Sequence, residues 1–134
     1  MAYNANFESI GQAFLQHYYV QFDVPDPAVR TQNIAGLYDN DNSYMTFEGV
    51  QVKGKEAILQ KFMSLTFKTI ERQVTKADCQ PLADGSVLVS VLGQLRTDGD
   101  PIQSYMQTFV LRPTADGSSF FVGNEVFRLV LHNV

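Results

Sequence analysis

The stretch VLVSVLGQLRTDGDPIQSYMQTFVLR, from Val87 to Arg112, decides the fold. Its first part alternates, with Val87, Val89 and Val91 on one side and Leu88 and Leu92 on the other, and that is the period of a strand. Ile102 to Arg112 reads as a second strand, carrying Tyr105, Gln107 and Phe109 on one side. Thr97-Asp98-Gly99-Asp100-Pro101 is the turn between them. Working outward, Ala83-Asp84-Gly85-Ser86 is a hairpin turn of the Asp-Gly kind, and Ile70 to Gln80 is the strand before it. Ala115-Asp116-Gly117-Ser118 is a third turn, followed by a last strand from Phe120 to Leu131. The second half of the chain is therefore an antiparallel meander.

The first half is helical. Asn6 is a candidate N-cap, Glu8 suits the first-turn dipole, and Phe7, Ile10, Gly11, Phe14, Leu15, Tyr18 and Phe22 form a stripe at helical spacing. The first helix covers residues 6 to about 21 and ends at Asp23-Val24-Pro25. Asp26-Pro27 restarts a helix that runs to about Leu37 and buries Val29, Ile34 and Leu37. After the turn cluster Asp39-Asn40-Asp41-Asn42, two short strands, Ser43 to Phe47 and Val50 to Val52, flank Glu48-Gly49. Gly54 opens a third helix with Ile58, Phe62 and Leu65 on one face.

Helices segregated from a meander give an α+β domain. The expectation is one cone-shaped domain over residues 1–134, with three N-terminal helices packed against a curved antiparallel sheet around an apolar cavity. The strand faces carrying Val87, Val89, Val91, Tyr105, Gln107 and Phe109 are too apolar for water on both sides, so the open face pairs with a second copy. Which of the two faces meets the partner stays open at this point. Charge at Val89 or Val91 is expected to disrupt the homodimer.

Composition narrows the function. The chain has 134 residues, 45% hydrophobic, with ten Phe, six Tyr and no Trp. Its net charge is −4 and its ten basic residues are scattered, which argues against nucleic acid and against an anionic membrane surface as partners. One cysteine, Cys79, builds no disulfide framework, fits a reducing compartment, and reads as a half-buried strand residue. Met1 to Asn6 lacks the basic start and apolar run of a secretory signal, and no apolar stretch approaches the ~18 residues of a membrane span.

Catalytic signatures are missing from the sequence. It holds no Gly-rich phosphate loop, no Gly-x-Ser-x-Gly and no Cys-x-x-Cys. His17, His132 and Cys79 make no zinc cluster. His17 reads as a structural hydrogen-bonding residue and His132 as solvated. No catalytic residue, metal or cofactor is expected. The carboxylates Glu48, Asp98 and Asp100 sit in turns, where acids are usually solvated turn formers. The functional alternative brings those turns to one end of the sheet, around a mouth lined by Phe47, Leu65, Ile70, Leu95, Val126 and Phe127. Such a rim suits a protruding aromatic side chain flanked by Lys or Arg. A competing reading is a small-molecule isomerase or dehydratase with a pocket carboxylate as general base. The inward-facing candidates are mostly Phe, Leu, Ile and Val, which favours binding over chemistry.

Ile10-Gly11-Gln12-Ala13-Phe14-Leu15-Gln16-His17-Tyr18-Tyr19 closely resembles the first helix of the nuclear transport factor 2 family. So do Phe47-Glu48-Gly49, Lys53-Gly54-Lys55-Glu56-Ala57-Ile58, Gly93-Gln94-Leu95, Asp98-Gly99-Asp100-Pro101-Ile102 and Phe127-Arg128-Leu129-Val130-Leu131-His132-Asn133. The resemblance implies a homodimeric import factor, with no catalytic activity, that carries the GDP-bound GTPase Ran and binds Phe-x-Phe-Gly repeats of nucleoporins. It implies residence in cytoplasm and nucleus, with enrichment at the pore. It assigns Glu48, Asp98 and Asp100 to basic residues of Ran, and the cavity mouth to an aromatic of Ran's switch region. It places Phe7 in the nucleoporin-repeat site. Positions 7 and 47 are often Trp in the family and are Phe here. The loop Val24 to Arg30 is longer than usual and takes no role from the resemblance.

Overall fold

The expected helices are present in the computed structural model, which describes residues 3–131: α1 (Phe7–Phe22), α2 (Pro27–Ile34) and α3 (Lys55–Met63). His132 and Asn133 lie outside the described residues. Asp26 caps α2 as expected, its carboxylate accepting from the amides of Ala28 and Val29, with Pro27 in the first turn. Asn6 makes no side-chain cap on α1. Its amide instead donates to the Asn4 side chain, and the Ser9 hydroxyl donates to its carbonyl. The second helix is shorter than expected, because Ala35–Leu37 tighten into a 3-10 turn. Val29 is exposed, and Arg30, Thr31 and Ile34 are the buried residues of α2. Adjacent helical positions point about 100° apart, and the inward direction falls on Arg30.

The strands are β1 (Tyr44–Phe47), β2 (Val50–Lys53), β3 (Ile70–Pro81), β4 (Val87–Thr97), β5 (Gln103–Pro113) and β6 (Phe120–Leu129), in sheet order β2-β1-β6-β5-β4-β3. The antiparallel meander of β3 to β6 is as read from the sequence. The sheet as a whole is mixed, however, because β1 runs parallel to β6, Tyr44 opposite Asn124 and Phe47 opposite Phe127. A hairpin turn announces an antiparallel pair, whereas strands from opposite ends of a chain carry no such local signal.

The helices cover one face of this curved, unclosed sheet. Val87, Val89, Val91, Tyr105, Phe109 and Leu111 are all buried beneath them. Gly11 lets α1 approach closely, since a Cβ there would stand 2.4 Å from Cys79 Sγ. Cys79 is buried, and burial pushes its thiol up to about 11. Val89 and Val91 therefore belong to the core, and charge there would attack the fold of each protomer before any interface. The open face carries Leu92, Met106 and Val126, each at least 40% exposed, with Leu92 directly opposite Met106. His17 is exposed on α1, so solvent surrounds it and no buried partner does. Among the described residues no helix is long and apolar enough to cross a membrane.

Candidate functional site

Two turns of the same kind stand near the open end of the cone. Glu48 (φ 51°) and Gly49 (φ 85°) join β1 to β2, and Asp98 (φ 50°) and Gly99 (φ 75°) follow β4. Positive φ at both central positions defines the tight turn that matches strand twist. Left-handed backbone at a non-Gly residue costs roughly 1–2 kcal/mol, less for Asp than for Glu. Each acid is also tied down. The Glu48 amide donates to the Phe127 carbonyl at 3.0 Å and its carboxylate accepts from the Leu129 amide at 2.5 Å. Asp98 accepts from the amides of Lys68 and Thr69 at 2.8 and 2.9 Å, and these bonds hold its carboxyl below the usual range.

Behind the Glu48 turn lies a cavity of about 180 Å³. Of the residues read as its lining, Phe47, Leu65, Ile70, Leu95 and Phe127 line it, and Glu48 does as well. The Phe47 and Phe127 rings stack at 4.7 Å, and Tyr105 stacks on Phe127 at 5.6 Å. Asp98 and Asp100 are exposed and do not line the cavity. Val126 does not line it either, which corrects its assignment. Successive strand residues point to opposite faces: Phe127 points inward, while Val126 is 40% exposed on the open face. Phe7 opens α1 half-buried against the core, apart from the cavity lining.

The deep end is more polar than the sequence suggested. Arg72 lines the cavity and pairs bidentately with Asp23, Nε to Oδ2 at 2.9 Å and Nη2 to Oδ1 at 2.8 Å. Its guanidinium lies 4.0 Å from the Tyr19 ring centroid. Gln107 also lines the cavity, accepting from the Tyr19 hydroxyl at 2.8 Å and donating to Glu125 at 2.7 Å. Glu125 accepts further from the hydroxyls of Tyr38 (2.5 Å) and Tyr18 (3.3 Å). Burial raises its carboxyl to about 7, against the opposing pull of those hydrogen bonds. Glu125 does not itself line the cavity, but Tyr18 and Gln107, which bond it, do.

Arg30 also went unrecognised from sequence. It is fully buried, and its guanidinium donates to the carbonyls of Leu65, Val24 and Phe67 at 3.2, 3.1 and 2.8 Å. It thus ties the loop between α1 and α2, which had no role, to the segment that carries Leu65 and Phe67 into the cavity wall. In Arg72 a signal was present: two residues after Ile70 on β3, it shares that residue's face. Gln107, between Tyr105 and Phe109 on one face of β5, and Glu125, two residues before Phe127 on β6, carried the same signal, whereas Arg30 carried none, because its partners are backbone carbonyls of other segments. Among the described residues no group of three or more His, Cys, Asp or Glu is placed to hold a metal.

An aromatic cavity with a tethered acid on its lip thus stands at the mouth of a cone fold. A nuclear transport factor 2 domain matches residues 10–129. A protein of Caenorhabditis elegans named probable nuclear transport factor 2 is 56% identical over 133 residues, covering 99% of both chains. The solved structure of nuclear transport factor 2 from Cryptosporidium parvum superposes with a TM-score of 0.85 at 35% identity, covering 97% of this chain and 99% of that one. The chain belongs to the nuclear transport factor 2 family. A structure described as a putative ketosteroid isomerase from Parabacteroides distasonis shares the fold at a TM-score of 0.71, with 14% identity over 95% of this chain and 93% of that one. That likeness concerns the fold alone.

Proposed function

We propose that this chain is a non-enzymatic import factor that carries GDP-bound Ran into the nucleus and binds Phe-x-Phe-Gly nucleoporin repeats on the way. The observation that carries the reading is the aromatic cavity with Glu48 fixed on its lip, in a family whose named relatives are transport factors. About 180 Å³ suits one aromatic side chain, since an apolar cavity of about 150 Å³ accepts benzene. Glu48 and Asp100 would meet basic residues around that side chain. Such a factor works in cytoplasm and nucleus, enriched at the pore. The test is retention of Ran on the immobilised protein: the GDP form should be held and the GTP form released. Retention of neither, or of both equally, would refute the reading.

The open sheet face supports a homodimer, built on the neighbouring apolar residues Leu92, Met106 and Val126. Leu92→Asp places a charge in the middle of that patch and should shift sedimentation from a dimer to the 15.0 kDa monomer. A wild type that sediments as a monomer at micromolar concentration would refute the interface.

Phe7 is the proposed repeat-binding residue, because its half-exposed ring lies outside the cavity. Phe7→Ala should weaken binding of a Phe-x-Phe-Gly peptide about ten-fold or more while leaving Ran binding within about two-fold. Equal loss of both would show that Phe7 is only a core position.

A further inference from the structure

The wall of the cavity holds a charged donor that is only partly used. Arg72 lines the cavity, with its side chain only 7% exposed. Nε and Nη2 are taken by Asp23, whereas Nη1 is buried and has no hydrogen-bond partner among the described residues. The guanidinium is held in place by that bidentate pair and by the Tyr19 ring, whose centroid lies 4.0 Å away. Stacking covers its face and leaves its edge, where the N–H groups point. A donor buried without a partner is costly, so an acceptor that arrives beside it gains by pairing with it. The rest of the wall is aromatic. Phe47 and Phe127 stack at 4.7 Å, and Phe62 stands edge-on to Phe47 at 6.3 Å.

We propose that the cavity also binds a free small molecule, a neutral aromatic ring bearing one hydroxyl or carbonyl oxygen, with the ring among Phe47, Phe62 and Phe127 and the oxygen accepting from Arg72 Nη1. Size fits, because about 180 Å³ is somewhat more than the roughly 150 Å³ that accepts benzene. Charge selects the class. Asp23 already neutralises the guanidinium and Glu48 stands on the lip, so a neutral acceptor is accommodated where a carboxylate is repelled. Such a ligand fills the space that a partner's aromatic side chain would enter, and so competes with docking. That competition rests on the cavity being the Ran-docking site, whereas binding of the ligand does not.

Phenol and toluene have the same number of heavy atoms and tell a purely apolar cavity from one with a waiting donor. In the apolar case toluene binds about ten-fold more tightly, because the phenol hydroxyl gives up water for nothing. A hydrogen bond from a charged group reverses that order. Amide chemical shifts of Leu95 and Phe127 should follow both titrations, with phenol binding at least as tightly as toluene and benzoate about ten-fold more weakly than phenol. Arg72→Met combined with Asp23→Asn removes both charges together, and in that protein toluene should bind about ten-fold more tightly than phenol. Toluene preferred by wild type, benzoate binding as tightly as phenol, a phenol preference retained in the double variant, or no shift with phenol at about 10 mM would each overturn the proposal. If the double variant does not fold, the wild-type order of phenol and toluene decides alone. Phenol near saturation should also release GDP-bound Ran from the immobilised protein. Phenol bound with Ran undisturbed would count against the docking reading and leave the ligand site standing.

Discussion

Glu48→Lys is expected to abolish binding of GDP-bound Ran while leaving the fold intact. Glu48 lines the cavity and is held on its lip by the Leu129 amide and the Phe127 carbonyl, so its carboxylate is placed in advance of docking. Removing one member of a desolvated ion pair costs on the order of 2–5 kcal/mol, because the other charge is left unpaired. Lysine adds repulsion between like charges. Titration calorimetry should therefore show at least a hundred-fold loss. Glu48→Gln keeps an acceptor for the Leu129 amide and should lose less. Asp100→Asn, at an exposed position, should lose less again. Raising salt should weaken the wild-type complex. Unchanged affinity in a folded Glu48→Lys protein would sink the acidic-lip account of docking.

A second large effect concerns stability against pH. Buried Glu125 has its carboxyl raised from 4.5 to about 7, so the folded state holds a proton that the unfolded state releases. The stabilisation from this neutral, hydrogen-bonded carboxyl is complete below about 4.5, declines as pH rises, and is gone above about 7. The shift is worth about 3 kcal/mol at roughly 1.36 kcal/mol per unit. Denaturation with urea should show stability falling between pH 5 and 8 by about that amount. Glu125→Gln, neutral at every pH, should flatten the curve across this window. The lowered carboxyls of Asp39, Asp84, Asp98 and Asp116 act in the opposite sense, and only as pH falls toward their own range. A wild-type profile that is flat or rising from pH 5 to 8 would refute the assignment.

These effects show where sequence reasoning reached and where it stopped. The meander was legible because each of its hairpins carries Asp-Gly or Asp-Pro punctuation and each strand alternates. The cavity wall was legible for the same reason, since period two along β4 and β6 sends Leu95 and Phe127 inward. Val126 failed because it was grouped with its neighbour Phe127 instead of being assigned to the opposite face. Val29 failed through a helix phase wrong by one residue, since the inward place was filled by a cation that composition rules put outside. The hydrogen-bond network that joins Glu125, Gln107, Tyr18 and Tyr38 was illegible. Those partners come from α1, β5, β6 and the segment before β1, and only the folded chain brings them together. Glu48 was singled out as an acid in a turn, but its anchoring to β6 depends on the parallel pairing of β1 with β6, which no turn announces.

That pairing also bears on the order in which the molecule can assemble. Tyr44 to Phe47 meet Asn124 to Phe127, so the early strand lacks its central neighbour until α3 and β3 to β5 have also been made. Synthesis proceeds from the N-terminus at about 5–20 residues per second. During that interval the nascent β1–β2 hairpin has an open edge, and a two-stranded hairpin is marginal alone. The Tyr18 and Tyr38 hydroxyls likewise wait for Glu125. Contacts of such long sequence separation slow folding, because loop closure is costly before any contact is gained. A chain stalled before β6 would expose an unpaired strand edge and the apolar underside of three helices, and would be prone to aggregate. The completing strand carries Phe127 of the cavity wall and the carbonyl that fixes Glu48. The step that closes the sheet therefore also completes the cavity wall and fixes the acid on its lip.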